Sequence, residues 1–171
     1  DKKEIGITCA LIPTSHKGIE IGDRHFPLNQ AFLNGTTYGK DVFIPLKWII
    51  GGSDYAGKGW RMLVECLSAG RGISLPALAA ASGRGTQRMT GAYAYVRQQF
   101  GMPIGMFEGV QSSMGKIGGT NYILESMRRL TISALCQGQS PSVVTAMTKY
   151  HMTEMGREVL EHAMDIHAGK G

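Results

Sequence analysis

Much of what would make a chain easy to classify is missing here. Cysteine occurs three times, at Cys9, Cys66 and Cys136. The number is odd and the spacings are wide and unpaired, which argues against a disulfide framework or a zinc site and fits a reducing compartment. All three read as core thiols. No uncharged apolar run reaches the 18 residues that would suggest a membrane-crossing helix, and no basic, apolar and small-residue signal pattern opens the chain. Charged residues are only 18% of the total, and the net charge of +5 is scattered with no polybasic run longer than a pair. That balance tolerates phosphate-bearing ligands but does not argue for nucleic acid. No Walker loop, no His-Glu-x-x-His and no Gly-x-Ser-x-Gly is present, so phosphoryl transfer, zinc hydrolysis and nucleophile-elbow esterase chemistry have no sequence support.

What the chain does have is glycine, 24 residues of it, and an apolar fraction of 43%, which is a globular composition. The 171 residues suffice for one domain with a core or for parts of two. The first residue is Asp and the last three are Gly-Lys-Gly, which reads as a piece of a longer chain.

Two kinds of organisation follow one another. Up to about residue 50, short β-compatible stretches alternate with long connections: Ile5–Ile12 closed by Pro13, then GIEIG from Gly18, then KDVFIP after a GTTYG loop. Such strands cannot form a stable sheet alone, so this segment reads as the end of a larger one. From Gly57 onward the pattern is helical. The last stretch repeats Val144, Met147, His151, Met155, Val159, Ala163 and Ile166 at steps of three and four, with Ser140-Pro141 as its start. The stretch before it shows Val110, Met114, Ile117, Leu124, Met127 and Ala134, ended by Gln137-Gly138. A longer one over residues 60–99 must be kinked or interrupted by Pro76. The fold class is therefore α+β: the end of a β-domain (residues 1–55), followed by three long helices of an antiparallel helical bundle (residues 56–171).

The search for chemistry narrows quickly. SGRGTQR around Gly83 holds a Gly-x-Gly but follows no strand and sits in a helical stretch, so it lacks the context of a dinucleotide loop. His151, His162 and His167 do not share a helical face, and the carboxylates fall mostly on polar helical positions; no metal site is expected. The remaining candidate is YVRQQFGMPIGMFEGVQ from Tyr95. On the residues alone Arg97 there reads first as a cation at a helix C-terminus, and Phe100 and Phe107 as plugs between two helices. The other reading is a ligand site: a guanidinium suited to phosphate, the amides of Gln98 and Gln99, and two aromatic faces around one exposed turn.

Five separated segments, CALIPTSHKGIEIG, VFIPLKWIIGG, LSAGRGISLPALAAASG, AYAYVRQQFGMPIGMFEGVQ and AMDIHAGKG, occur in an order that resembles the flavin-dependent acyl-CoA dehydrogenases. The resemblance is strongest to the large γ-proteobacterial fatty acyl-CoA dehydrogenases of β-oxidation, and it runs over essentially the whole chain. It implies FAD as cofactor, a fatty acyl-CoA substrate, an electron-transferring flavoprotein as acceptor, a homodimer or homotetramer and a bacterial cytoplasmic setting. By resemblance Arg97, with Gln98, Gln99 and Phe100 beside it, contacts the FAD diphosphate on a neighbouring subunit. Phe107 and Glu108 stand where the family has an aromatic residue or histidine followed by glutamine at the adenine. Asp165 and Gly169 fall in the family's Gln-Ile-Phe-Gly-Gly-x-Gly turn, where Asp165 replaces the amide. Ser68, Ala69, Gly70 and Arg71 would lie along the acyl-CoA channel.

The implied reaction is α-proton abstraction by a glutamate and hydride transfer from the β-carbon to flavin N5. Most members carry that glutamate in a segment that would lie beyond Gly171; a minority carry it where this chain has Gly70. No catalytic residue is thus expected among these residues, and the isolated chain is expected to be inactive and to bind FAD weakly or not at all. Two alternatives stay open: an acyl-CoA oxidase, and a non-enzymatic helical interaction domain.

Overall fold

The computed structural model describes residues 3–171, with the side chains of residues 68–70 outside the described set. The chain forms two compact units, Asp1–Val64 and Glu65–Gly171.

In the first unit, β1 (Ile19–Arg24) pairs antiparallel with β2 (Gly35–Gly39), with Ile19 opposite Gly39 and a bulge between Ile21 and Arg24. The strand positions differ from the sequence reading. GTTYG, expected as a loop, is β2: its two threonines and tyrosine suit an extended pleated backbone, and the bounding glycines close it at either end. KDVFIP, expected as a strand, leaves the ladder after the Lys40 N–H donates to the Gly18 carbonyl at 2.9 Å, because Asp41 turns the chain with φ 52°. The Ile5–Ile12 stretch contributes only an isolated bridge, Ala10 to Ile49. His16 ties the loops together, its Nε2 lying 2.9 Å from the Phe43 carbonyl while its ring meets Trp48 edge-on.

The helices are α1 (Gly59–Ala69), α2 (Leu75–Val96), α3 (Glu108–Cys136) and α4 (Ser142–His167). A five-residue π-helical segment, Gly70–Ser74, joins α1 to α2. Its cause is Pro76, buried at the start of α2: proline offers no N–H and crowds the carbonyl four residues back, and a widened turn takes up both demands. The helical run Gly59–Val96 spans 38 residues and includes an 18-residue stretch of mean hydropathy 1.2, long and apolar enough by composition to cross a membrane. That qualifies the expectation from charge spacing. Alanine and glycine dominate the run, and on α2 Ala80, Gly83 and Ala94 are buried.

Helices α2, α3 and α4 pack on one another pairwise. Their core is Ala80, Ala94, Ile104, Ile117, Leu124, Met152, Val159, Ala163 and Ile166. The α4 face is only half as the apolar spacing suggests. Its C-terminal half buries Val159, Ala163 and Ile166, but its N-terminal half buries Thr145, Thr148 and Met152 and leaves Val144, Met147 and His151 exposed. The reason is close approach: a Cβ at Gly72 would stand 2.5 Å from Thr145 Cβ, so only a compact side chain fits there. The buried Thr145 hydroxyl donates to the Ser142 carbonyl at 2.9 Å, and Thr131 donates to Met127 at 3.0 Å, so burial leaves neither hydroxyl unpaired. Ser140 is not the N-cap; Pro141 holds that position with no side-chain cap.

Helix α3 ends as the sequence suggests. Gly138 has φ 74°, its N–H donates to Leu135 at 2.9 Å, and Gln139 N–H reaches back to Ala134 at 3.1 Å, closing a Schellman turn. On α3, Glu125 takes a bidentate hydrogen bond from Arg128 (2.6 and 2.9 Å), another from Arg129 (2.9 Å), and lies 4.0 Å from Arg84 of α2. The hydrogen bonds from Arg128 and then Arg129 pull its carboxyl down to about 2, against a smaller opposing effect of burial. The cysteines differ from expectation: Cys9 is partly buried with its thiol 3.6 Å from the Gly59 carbonyl, while Cys66 and Cys136 lie on outward helix faces and are exposed.

Candidate functional site

Where α2 ends, the chain makes a two-residue hairpin rather than a plain helix-to-helix turn. Arg97 caps α2 with an extended backbone (ψ 121°), its N–H bonded to Tyr93 at 2.8 Å. β3 (Gln98–Gln99) then pairs with β4 (Met102–Pro103), and Ile104 N–H closes the base on the Arg97 carbonyl at 2.8 Å. The tip is Phe100-Gly101, with φ 55° and 80°. Positive φ at both central residues is the type I′ geometry that matches strand twist. Glycine takes it freely, but a phenylalanine does so only against steric resistance.

Phe100 is 92% exposed. A plug between helices would be covered, so the space-filling reading fails for this residue. Phe107 is half-buried against the core and meets Phe100 edge-on at 6.2 Å between centroids. It also marks the start of α3, whose first residue is Glu108.

The hairpin forms one wall of a groove of about 560 Å³. Arg97, Gln99, Phe100 and Phe107 line it, and so do Asp165 and Gly169 from the end of α4, far away in sequence. Sequence spacing had placed these as two separate motifs; the helical bundle brings them to one place. Gln98 and Glu108 do not line the groove. Gln98 is exposed on β3, and Glu108 is exposed in the first turn of α3, where a negative charge meets the positive end of the helix dipole.

Four further groove residues were not among the candidate site residues: Tyr93, His167, Ala168 and Lys170. Tyr93 and His167 stack with ring centroids 4.2 Å apart and planes at 17°, joining α2 to the end of α4. Tyr93 is four residues before Arg97, one helical turn back on the same face, and that spacing is the cue that could have found it. Lys170 adds a second cation beside Arg97. Among the described residues, neither cation is joined in an ion pair. Two free cations, an exposed ring and a stretch of small residues suit a phosphate-bearing ligand with an aromatic base.

Of the residues expected along an acyl channel, Ser68, Ala69 and Gly70 lie outside the described residues. Arg71 is exposed within the π-helical segment. The Gly-x-Gly of SGRGTQR lies inside α2 and has a packing cause: a Cβ at Gly83 would come within 2.8 Å of Asn121 Oδ1. Asn121 is buried, donates from Nδ2 to Gln87 Oε1 at 2.5 Å, and its Oδ1 has no partner. A second groove, about 860 Å³, runs between α2 and α3 past Arg84, Arg88 and Asn121, and none of the expected site residues lines it.

Comparison with known proteins bears on this arrangement. Residues 57–171 match the family model "Acyl-CoA dehydrogenase, C-terminal domain". Probable acyl-CoA dehydrogenase FadE10 of Mycobacterium tuberculosis is 28% identical over 168 residues, which cover 97% of this chain and 25% of that protein. Protein HemX of Proteus mirabilis is 61% identical over 92 residues, 54% of this chain and 54% of that one. Among solved structures, the FAD complex of PigA superposes with a TM-score of 0.82 at 22% identity, covering 96% of this chain and 42% of that one. The chain thus spans about half or less of the length of the proteins it matches. The shared fold is the short antiparallel strands followed by long packed helices.

Proposed function

Because this chain belongs to the acyl-CoA dehydrogenase family, we propose that it is the part of an FAD-dependent fatty acyl-CoA dehydrogenase that completes the cofactor site, in an enzyme of the large γ-proteobacterial β-oxidation type. On this reading residues 1–55 are the end of the middle β-domain and residues 56–171 the first three helices of the C-terminal helical domain. The complete protein oxidises fatty acyl-CoA to trans-2-enoyl-CoA as a homodimer or homotetramer and passes electrons to an electron-transferring flavoprotein.

The observation that carries this is the groove, which gathers Arg97, Gln99, Phe100 and Phe107 with Asp165 and Gly169. Its residues fit the adenosine-diphosphate half of FAD. Arg97 and Lys170 would hold the diphosphate, and the exposed Phe100 ring would take the adenine face. Gly169, with no side chain, lets backbone approach closely. FAD, when bound, supplies the hydride acceptor. Phe100 at the tip of an exposed hairpin suits a cofactor that belongs to a neighbouring subunit. Arg71 would face the acyl-CoA with Ser68, Ala69 and Gly70, and the proton-abstracting glutamate would come from outside these residues.

Arg97→Ala in the complete protein tests the reading. Flavin content, read from the absorbance of the purified protein, is expected to fall at least tenfold with secondary structure retained. Unchanged flavin content would favour a helical interaction domain without a cofactor.

A further inference from the structure

One groove residue is at odds with a simple anion site. Asp165 lines the groove from the last turn of α4, and its carboxylate is exposed. A negative charge there opposes the helix dipole, so Asp165 does nothing for its own helix. It is joined in no ion pair among the described residues, although Arg97 and Lys170 line the same groove. The wall that carries it is braced by the Tyr93–His167 stack two residues away.

An ionised carboxylate can only accept hydrogen bonds, so ligand atoms beside it must be donors. In a nucleoside diphosphate the phosphate oxygens are acceptors and belong with Arg97 and Lys170; the ribose hydroxyls are donors. A phosphate on the ribose would replace a donor by a dianion facing a like charge. The same logic lets an acidic residue in a dinucleotide fold accept a free ribose hydroxyl and turn away a phosphorylated one.

We propose that Asp165 makes this groove selective for a nucleoside diphosphate with free ribose hydroxyls, and excludes one phosphorylated at the ribose 3′ position. The inference rests on the reading of the groove as a nucleotide-diphosphate site. Its consequence is specific to an enzyme that handles both FAD and CoA: each contains adenosine diphosphate, but only CoA carries a 3′-phosphate. Two cations and an aromatic ring alone would favour the more highly charged CoA nucleotide. Asp165 reverses that preference and keeps the substrate's nucleotide out of the cofactor's place.

The test uses the complete protein freed of its flavin and two probes, ADP and ADP with a 3′-phosphate, each ranked at low salt by how well it competes with FAD in restoring the yellow protein. ADP is expected to compete about tenfold better than its 3′-phosphorylated form, the size of one like-charge contact near a protein surface. Asp165→Asn is expected to abolish that preference. This variant removes a charge the helix end disfavours, and circular dichroism confirms that it stays folded. Equal competition in the unsubstituted protein, or a preference that survives Asp165→Asn, would overturn the inference while leaving the groove a nucleotide site. Failure of ADP to compete with FAD in either protein would overturn the underlying reading and the inference with it.

Discussion

Both units carry large apolar side chains, but among the described residues only one of them shuts any of these fully away from solvent. In Glu65–Gly171 the side chains of Ile117, Leu124 and Met152 are fully shut off from solvent. In Asp1–Val64, Leu28, Leu33 and Phe43 remain 93%, 86% and 77% exposed. The difference lies in what each kind of element needs from its surroundings. A helix satisfies its backbone internally, so three helices need only one another's side chains to close a core. A strand needs neighbours for its ladder and a second layer for its face, and a two-stranded ribbon has neither in full. A helical bundle therefore keeps its core when considered by itself, whereas a two-stranded ribbon leaves its apolar side chains open.

The largest expected effect comes from separating the two. Residues 65–171 should stay helical and melt cooperatively by far-UV circular dichroism, while residues 1–64 should show no cooperative transition. A sharp melt for the shorter piece would break the comparison. Paired leucine substitutions sharpen it within the intact chain. Leu124→Ala should cost about 2–5 kcal/mol in denaturant unfolding through the cavity it leaves, and Leu33→Ala should stay within about 0.5 kcal/mol. Phe100→Gly sets stability against function inside the helical unit. Relief of the positive φ should stabilise it by about 1 kcal/mol, and the flavin content of the complete protein carrying the substitution should fall. The smallest effect is electrostatic. Glu125 has its carboxyl drawn down to about 2 by Arg128 and Arg129, so its contribution to stability is complete above the ordinary carboxylate range and is lost as pH falls from about 4.5 towards 2. Glu125→Gln should flatten the pH dependence of the melting temperature across that window, lowering it slightly at neutral pH and leaving it unchanged near pH 2.

How much of this could be read from the sequence depended on the kind of signal. The helices of the second unit were legible because Ile117, Leu124, Val159, Ala163 and Ile166 repeat at helical steps and Gly138 and Pro76 punctuate them. The N-terminal half of α4 was misread because threonine counts as polar in any hydropathy pattern, while the space opposite Gly72 admits little more than a threonine. In the first unit the glycines around Thr36, Thr37 and Tyr38 looked like a loop and proved to be a strand. Arg97, Phe100 and Phe107 were legible as a candidate site because their types cluster, and Asp165 and Gly169 through family resemblance. Tyr93, His167 and Lys170 were not singled out, since a tyrosine within a helix and a lysine after one have ordinary explanations.

By itself the sequence determined the order of elements, the helical periods and the residue types at the α2–α3 turn, because these depend on neighbours within a few positions along the chain. Tertiary structure alone decided which side chains face each other. Packing of α4 against α2 and α3 carries the end of α4 to the hairpin that holds Arg97 and Phe100, so that two cations, an exposed ring and one carboxylate share a groove. Separation along the chain says nothing about that meeting, which follows from how three helices bury their apolar faces against one another.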